Sequence, residues 1–378
     1  MAKEKVVVYG LSSEGYSIAR QMAIKGADVH IIDESAATAI LLKSEIAETY
    51  PSVTSLKEDE PLIAMEPIDI AISKAQYLFF TPRIRKLGQD LKIEVNAKFK
   101  DAIGSLKKNS SVIYCLGTGF GGNNENMAIL KHVTGFEAGK SISYFYFPII
   151  DLNKTPEVIG SLNKIDDKKL SSLLTVDKAK KFVEISSAEY LHAIDMIKRF
   201  SSLCGVLEVC KFINSGTKYT TPFNDFKNTY LDDMIIGLYD LRSLATSFEG
   251  GNTLMYLING SIKGITGYIK RLIDTIRITL KKNELKASKT KIVLYWTLDK
   301  NEMRGDKIEI LNSITAKLRD YIGDVDTSEG LVNSFHSDKK TIIISCSMND
   351  YTKIVSDKKS EDLIIIKANP LFEIEHKK

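Results

Sequence analysis

Residues 5–35 read KVVVYGLSSEGYSIARQMAIKGADVHIIDES, and their pattern sets the fold. Val6, Val7, Val8 and Tyr9 make a short, continuous apolar run, as a parallel strand buried on both faces requires. Gly10 follows at once, and a helical pattern begins near Tyr16 and runs to Lys25, with Gly26 where a helix C-cap falls. Val29-His30-Ile31-Ile32 is a second strand ending at Asp33. The spacing predicts a β-α-β unit of the length that dinucleotide-binding folds use.

Each residue of that turn has a physical reading. Gly10 permits a tight bend, and the helix that follows offers free N–H groups and a positive dipole end to a pyrophosphate. Asp33, eighteen residues after Gly15, is placed to accept hydrogen bonds from an adenosine ribose, which favours NAD over NADP. A G-x-G-x-x-G fingerprint would have glycine at position 12, where this chain has Ser12. The hydroxyls of Ser12 and Ser13 are the substitute donors. A Rossmann-like domain that holds no nucleotide is the plain structural alternative.

Composition bounds the rest. A chain of 378 residues has room for two or three domains. Its 52 basic and 48 acidic residues leave a net charge of +4, too small and too scattered for a nucleic-acid track. Cys115, Cys204, Cys210 and Cys346 have neither zinc spacing nor a disulfide framework, so no metal site is expected. No apolar run is as long as a membrane span and no signal peptide precedes the first strand, so a soluble, cytoplasmic protein without a membrane partner is expected.

Further along, residues 36–48 and 91–106 read as helices, and Pro51 to Pro67 carries turn signals and acids. Asp69–Ser73 and Tyr77–Phe80 are short apolar runs, the second ending at Thr81-Pro82. Val112–Leu116 is a buried strand that runs into Gly117-Thr118-Gly119-Phe120-Gly121-Gly122, a glycine-rich loop where open α/β sheets bind ligands. Those glycines either bring backbone N–H groups to a cofactor or merely permit a tight loop. Ser143–Ile150 is one more strand. Val176–Ser202 reads as helix, Val206–Val209 as a short strand, and Thr229–Phe248 as a long amphipathic helix stopped or bent by Gly250-Gly251. Tyr268–Lys282 gives further helix, Lys291–Trp296 opens a second α/β region, and Ile308–Tyr321 is an amphipathic helix. Thr341–Cys346 and Leu363–Ile366 are two more buried strands.

The order of these landmarks resembles the UDP-glucose/GDP-mannose dehydrogenase family, the nucleotide-sugar dehydrogenases. Gly10, Ser12 and Gly15 stand at its fingerprint positions, Thr81-Pro82 matches a Thr-Pro pair, and Val112 to Asn126 is similar to its next strand and loop. Thr155-Pro156-Glu157-Val158-Ile159-Gly160 is similar to a further family segment. The resemblance implies an N-terminal Rossmann-type, doubly wound parallel sheet over 1–175. A long central helix that carries the dimer contact would fall within 176–285, and a smaller α/β nucleotide-sugar domain over 286–378. It implies NAD held by Gly10, Ser12, Ser13, Gly15, Asp33, Thr81, Pro82, Gly117 and Thr118, a nucleotide-sugar ligand met by Arg304, and a homodimer.

The chemistry departs from that family. Its members oxidise a sugar alcohol twice through a cysteine in a G-G-S-C-F-P-K-D segment. Asn259-Gly260-Ser261-Ile262-Lys263 is similar to that segment and places Ile262 at the thiol, which isoleucine cannot replace. The family also has a lysine and an asparagine on its long helix, whereas 229–248 holds no lysine and only Arg242, which stays protonated. Lys263 is the remaining candidate catalytic lysine. His192 reads as a helix-surface residue and Cys115 as a small buried hydrophobe. Two readings follow: an NAD-dependent oxidoreductase making a single hydride transfer on a sugar-nucleotide, or a catalytically silent relative acting in binding, regulation or assembly.

Overall fold

The computed structural model describes residues 3–33, 68–86, 90–150, 155–175, 179–212, 226–248, 252–328, 340–356 and 363–371. The helix expected over 36–48, the turn-rich Pro51–Pro67 and the Gly250-Gly251 stop lie outside the described residues.

The fold is α/β, and two compact units divide it: 1–195 with 301–305, and 196–300 with 306–378. The first unit is built on seven strands and the helices between them. In chain order these are β1 (Lys5–Tyr9), α1 (Ser13–Ile24), β2 (Asp28–Ile32), α2 (Ile68–Lys74), β3 (Tyr77–Phe80) and α3 (Asp90–Ile103). Then come β4 (Ser111–Tyr114), α4 (Gly122–Thr134), β5 (Ser143–Tyr146), β6 (Val158–Ser161), α5 (Lys168–Leu174), β7 (Lys181–Glu184) and α6 (Ile185–Val209). The sheet order is β2-β1-β3-β4-β5-β6-β7, parallel throughout except between β5 and β6.

The apolar runs make the centre of that sheet. Val6, Val8, Leu78, Phe79, Val112 and Ile113 are fully buried, each side chain contributing roughly 1.5–3 kcal/mol. Aromatic rings cross the strands on one face: Phe80 lies 5.8 Å from Tyr9, 5.2 Å from Tyr114 and 5.1 Å from Phe99 of α3. Ser12 begins α1 as an extended N-cap whose hydroxyl accepts from the Gly15 N–H.

The second unit holds α7 (Leu231–Ile235), α8 (Leu238–Ala245), α9 (Thr253–Lys282), β8 (Thr290–Tyr295), α10 (Asp306–Arg319), β9 (Val325–Ser328), β10 (Lys340–Ser345), α11 (Met348–Ser356) and β11 (Leu363–Lys367). Its sheet runs β11-β10-β8-β9, all parallel.

Several elements differ from the sequence reading. The helix expected over Thr229–Phe248 is broken at Gly237, whose φ of +83° is left-handed, into α7 and α8. The long helix is α9, 30 residues capped by Asn252, with Ile258, Ile265, Ile269, Leu272 and Ile276 recurring on its buried face. Val206–Val209 is the last turn of α6 rather than a strand, and the apolar run at 69–73 is helix α2. The strand expected to reach Ile150 ends at Tyr146, and 181–184 is strand β7 rather than helix.

Candidate dinucleotide site

The C-terminal edge of β1, β3 and β4 gathers most of the residues expected to hold a cofactor. Gly10, with φ of +109°, brings its backbone so close to β3 that a Cβ there would sit 2.3 Å from the Thr81 carbonyl oxygen. A Cβ on Gly15 would lie 2.4 Å from Thr81 Oγ1. The two glycines are therefore required for the close passage of α1 over Thr81-Pro82, whatever binds there. Thr81 is buried, and its hydroxyl donates to the Tyr9 and Gly10 carbonyls at 3.3 and 3.4 Å.

Several donors of this turn are engaged within the chain. Ser12 Oγ turns inward, donating to the Thr81 carbonyl at 2.8 Å while accepting from Gly15 N–H at 3.0 Å. The Ser13 N–H donates to the Asn301 carbonyl at 2.9 Å. Asp33 Oδ2 accepts from Leu11 N–H at 2.8 Å and Oδ1 from Arg83 Nη2 at 3.3 Å, so the carboxylate expected at a ribose is tied to its own turn. Glu14, in the first turn of α1, is 6% exposed and accepts from Met303 N–H at 2.9 Å.

That arrangement does not fit a pyrophosphate. The N–H groups of Leu11, Ser13 and Gly15 already have acceptors, and a carboxylate stands in the first turn of the helix meant to receive the phosphates. Spacing alone marks Ser12 at the fingerprint, whereas the role of Glu14 depends on Met303, 289 residues away.

Arg304, expected at a substrate, is buried in this first unit at 6% exposure. Its charge acts on Cys115 against the larger effect of burial, which pushes that thiol well above its ordinary range. Arg85 is lowered by burial and by Arg83, with Glu94, Glu14 and Glu302 opposing.

At the next loop, Gly117 is buried, and the Thr118 N–H donates to the Tyr146 hydroxyl at 3.2 Å. The N-terminus of α4 holds a carboxylate from α6: Glu189 accepts from the N–H groups of Gly121 and Asn123, at 3.1 and 3.2 Å. No local pattern marks Glu189 for this role, because its partner Asn123 lies 66 residues away. His192, one turn later on α6, is half-buried with its ring 6.3 Å from that of Tyr146, not on an open helix surface as expected.

The second unit places Lys263 as an exposed side chain in the middle of α9. The segment Asn259–Lys263 is helix interior, with Ser261 buried and its hydroxyl donating to the Leu257 carbonyl at 2.9 Å. Arg242 pairs with Asp306 at 3.0 Å and Glu309 at 2.6 Å. Among the described residues no group of three side chains could hold a metal ion, and no helix is long and apolar enough to cross a membrane.

This fold matches that of solved nucleotide-sugar dehydrogenases. The chain is similar to a UDP-glucose dehydrogenase from Pyrobaculum islandicum, with a TM-score of 0.65 and 12% identity over 100% of this chain and 96% of that one. It is similar to a UDP-D-ManNAc dehydrogenase from Pyrococcus horikoshii, with a TM-score of 0.62 and 13% identity over 96% and 95%. The UDP-N-acetyl-mannosamine dehydrogenase of Staphylococcus aureus gives 0.60 and 14% over 98% and 100%. No family model and no curated protein matches the sequence.

Proposed function

We propose that this chain is a catalytically silent relative of the nucleotide-sugar dehydrogenases, working as a homodimeric binding or assembly protein. The observation that carries this reading is helix α9 running unbroken through Asn259–Lys263. Residues similar to the family's cysteine segment are there built into a helix, with Ser261 facing in and Lys263 facing solvent. A side chain in that setting has no reacting atom to meet.

Helix α6 supports the dimer. It spans the division after Asp195. Tyr190, Leu191, Ile194 and Val209 are each between 49% and 60% exposed on it, while Ala193, Met196, Phe200 and Leu203 face inward. A helix apolar on its outer side as well as its inner one fits a second covering surface.

The second reading is a single hydride transfer between NAD and a nucleotide sugar, and His192 favours it. This ionisable ring lies against Tyr146, which itself meets the loop after β4. One experiment separates the two. Purified protein is incubated with NAD and a panel of UDP-sugars while NADH is followed by absorbance, and its mass is measured by light scattering. A dimer that forms no NADH supports the silent relative, and turnover lost in His192→Ala overturns it. A monomer overturns the assembly role.

A further inference from the structure

We infer that the β1–α1 turn, where this fold takes a dinucleotide, is in this chain an internal clasp for residues Asn301–Gly305. The inference deepens the silent-relative reading by giving that turn a different ligand: the chain itself.

Three backbone groups of the segment are bonded. The Asn301 carbonyl accepts from Ser13 N–H at 2.9 Å, the Met303 N–H donates to Glu14 at 2.9 Å, and the Met303 carbonyl accepts from Ile84 N–H at 2.7 Å. Met303 is thus held on both sides, as a residue in a strand would be, and its side chain is fully buried. Gly305 lets the segment lie flat, because a Cβ there would be 3.0 Å from the Ile84 carbonyl oxygen.

The chemistry is matched to a peptide rather than to a phosphate. The Ser13 N–H at the head of α1 meets a carbonyl oxygen, and the Glu14 carboxylate meets an N–H, a donor that a pyrophosphate lacks. Glu14 in a phosphate site is a like charge; Glu14 in a clasp is an acceptor with a buried donor to satisfy. Asp33, which accepts from both the Leu11 N–H and Arg83, closes the ribose side in the same way. A dinucleotide phosphate that took the Ser13 N–H would have to displace the Asn301 carbonyl.

The test is hydrogen exchange on the full chain, read at the Ser13, Ile84 and Met303 amides, with and without millimolar NADH, together with trypsin cleavage after Arg304. The expected result is slow exchange that NADH does not change, and no cleavage after Arg304. Glu14→Ala should speed Met303 exchange roughly tenfold, the loss of one buried hydrogen bond, and open Arg304 to trypsin. Glu14→Gln keeps an acceptor oxygen and should retain the protection, which also guards against an alanine variant that fails to fold. Fast exchange at Met303 in the native chain, or protection that shifts on NADH binding, overturns the clasp. Those outcomes are distinct from NADH formation with UDP-sugars, which overturns the silent-relative reading instead.

Discussion

Glu189 of α6 holds the head of α4 through Asn123, accepting from its side-chain nitrogen at 2.7 Å and its backbone N–H at 3.2 Å. Asn123 Oδ1 in turn accepts from the Tyr144 hydroxyl at 2.7 Å, and the Asn126 side chain donates to that hydroxyl at 3.2 Å. Every member of the set is buried. A network of this kind is costly to break at one point, because the remaining donors keep their desolvation without a partner.

Glu189→Ala is therefore expected to destabilise the protein by about 2–4 kcal/mol, since two backbone N–H groups and one amide lose their acceptor. Glu189→Gln should cost less. Urea unfolding of the three proteins measures both, and equal stability of the alanine variant and the native chain would refute the role assigned to the carboxylate.

The glycines divide into two kinds. Gly260 and Gly267 lie inside α9 with nothing within 4 Å of a built Cβ, so alanine at either should stabilise by roughly 0.5–1 kcal/mol. Gly10→Ala should instead cost several kcal/mol, on the order of 3, because its φ is +109° and its Cβ would strike the Thr81 backbone. Melting temperatures of the three variants should move in opposite directions.

Tyr77 gives a pH signature. Its ring is buried and its hydroxyl donates to Asp167 Oδ2 at 3.0 Å. Burial first, then the Asp167 charge and hydrogen bond and the Glu4 charge, push the phenol well above its ordinary range. The folded state holds that proton more tightly than the unfolded one. The corresponding stability is complete below the ordinary tyrosine value of about 10, and is lost as pH rises beyond it. Melting temperature should fall with pH in that alkaline window, and Tyr77→Phe should flatten the slope there even though it lowers stability at neutral pH.

The thiols should behave as four packed side chains, not as nucleophiles. Cys115 and Cys346 are fully buried and raised well above their usual values, chiefly by that burial. Cys210 is also buried, and Cys204 alone is partly exposed. A thiol-reactive dye should label Cys204 slowly in the folded protein and the other three only after unfolding. Rapid labelling of Cys115 would contradict its place behind the glycine-rich loop.

Strand positions were legible because each central strand is a run of consecutive apolar residues, as at Val6–Tyr9, Val112–Tyr114 and Ile342–Ile344. The helical errors have local causes. Gly237 interrupts an apolar pattern whose period continues through Leu238, Leu241 and Leu244, so the break is invisible to periodicity. Gly260, Gly264 and Gly267 make α9 look like a loop, although Gly264 faces Cys204, whose sulfur would lie 2.6 Å from a Cβ. At the site, the glycines and Asp33 could be placed from spacing alone. The partners that decide their use could not: Met303 is 289 residues from Glu14, and Glu189 is 66 from Asn123. Neither pairing leaves a mark in the sequence near either residue.

The first unit is discontinuous, and this gives its assembly an order in time. The ribosome releases β1, α1 and β2 early, and their contacts are local enough to form at once. Met303 follows Glu14 by 289 residues, about 15–60 s of synthesis at roughly 5–20 residues per second. Through that interval the head of α1 stands finished in backbone but unfilled, with the Glu14 carboxylate and the Ser13 N–H in water. The same open turn would belong to any fragment ending at Asp195, so such a fragment would report on a nascent intermediate rather than on the mature unit.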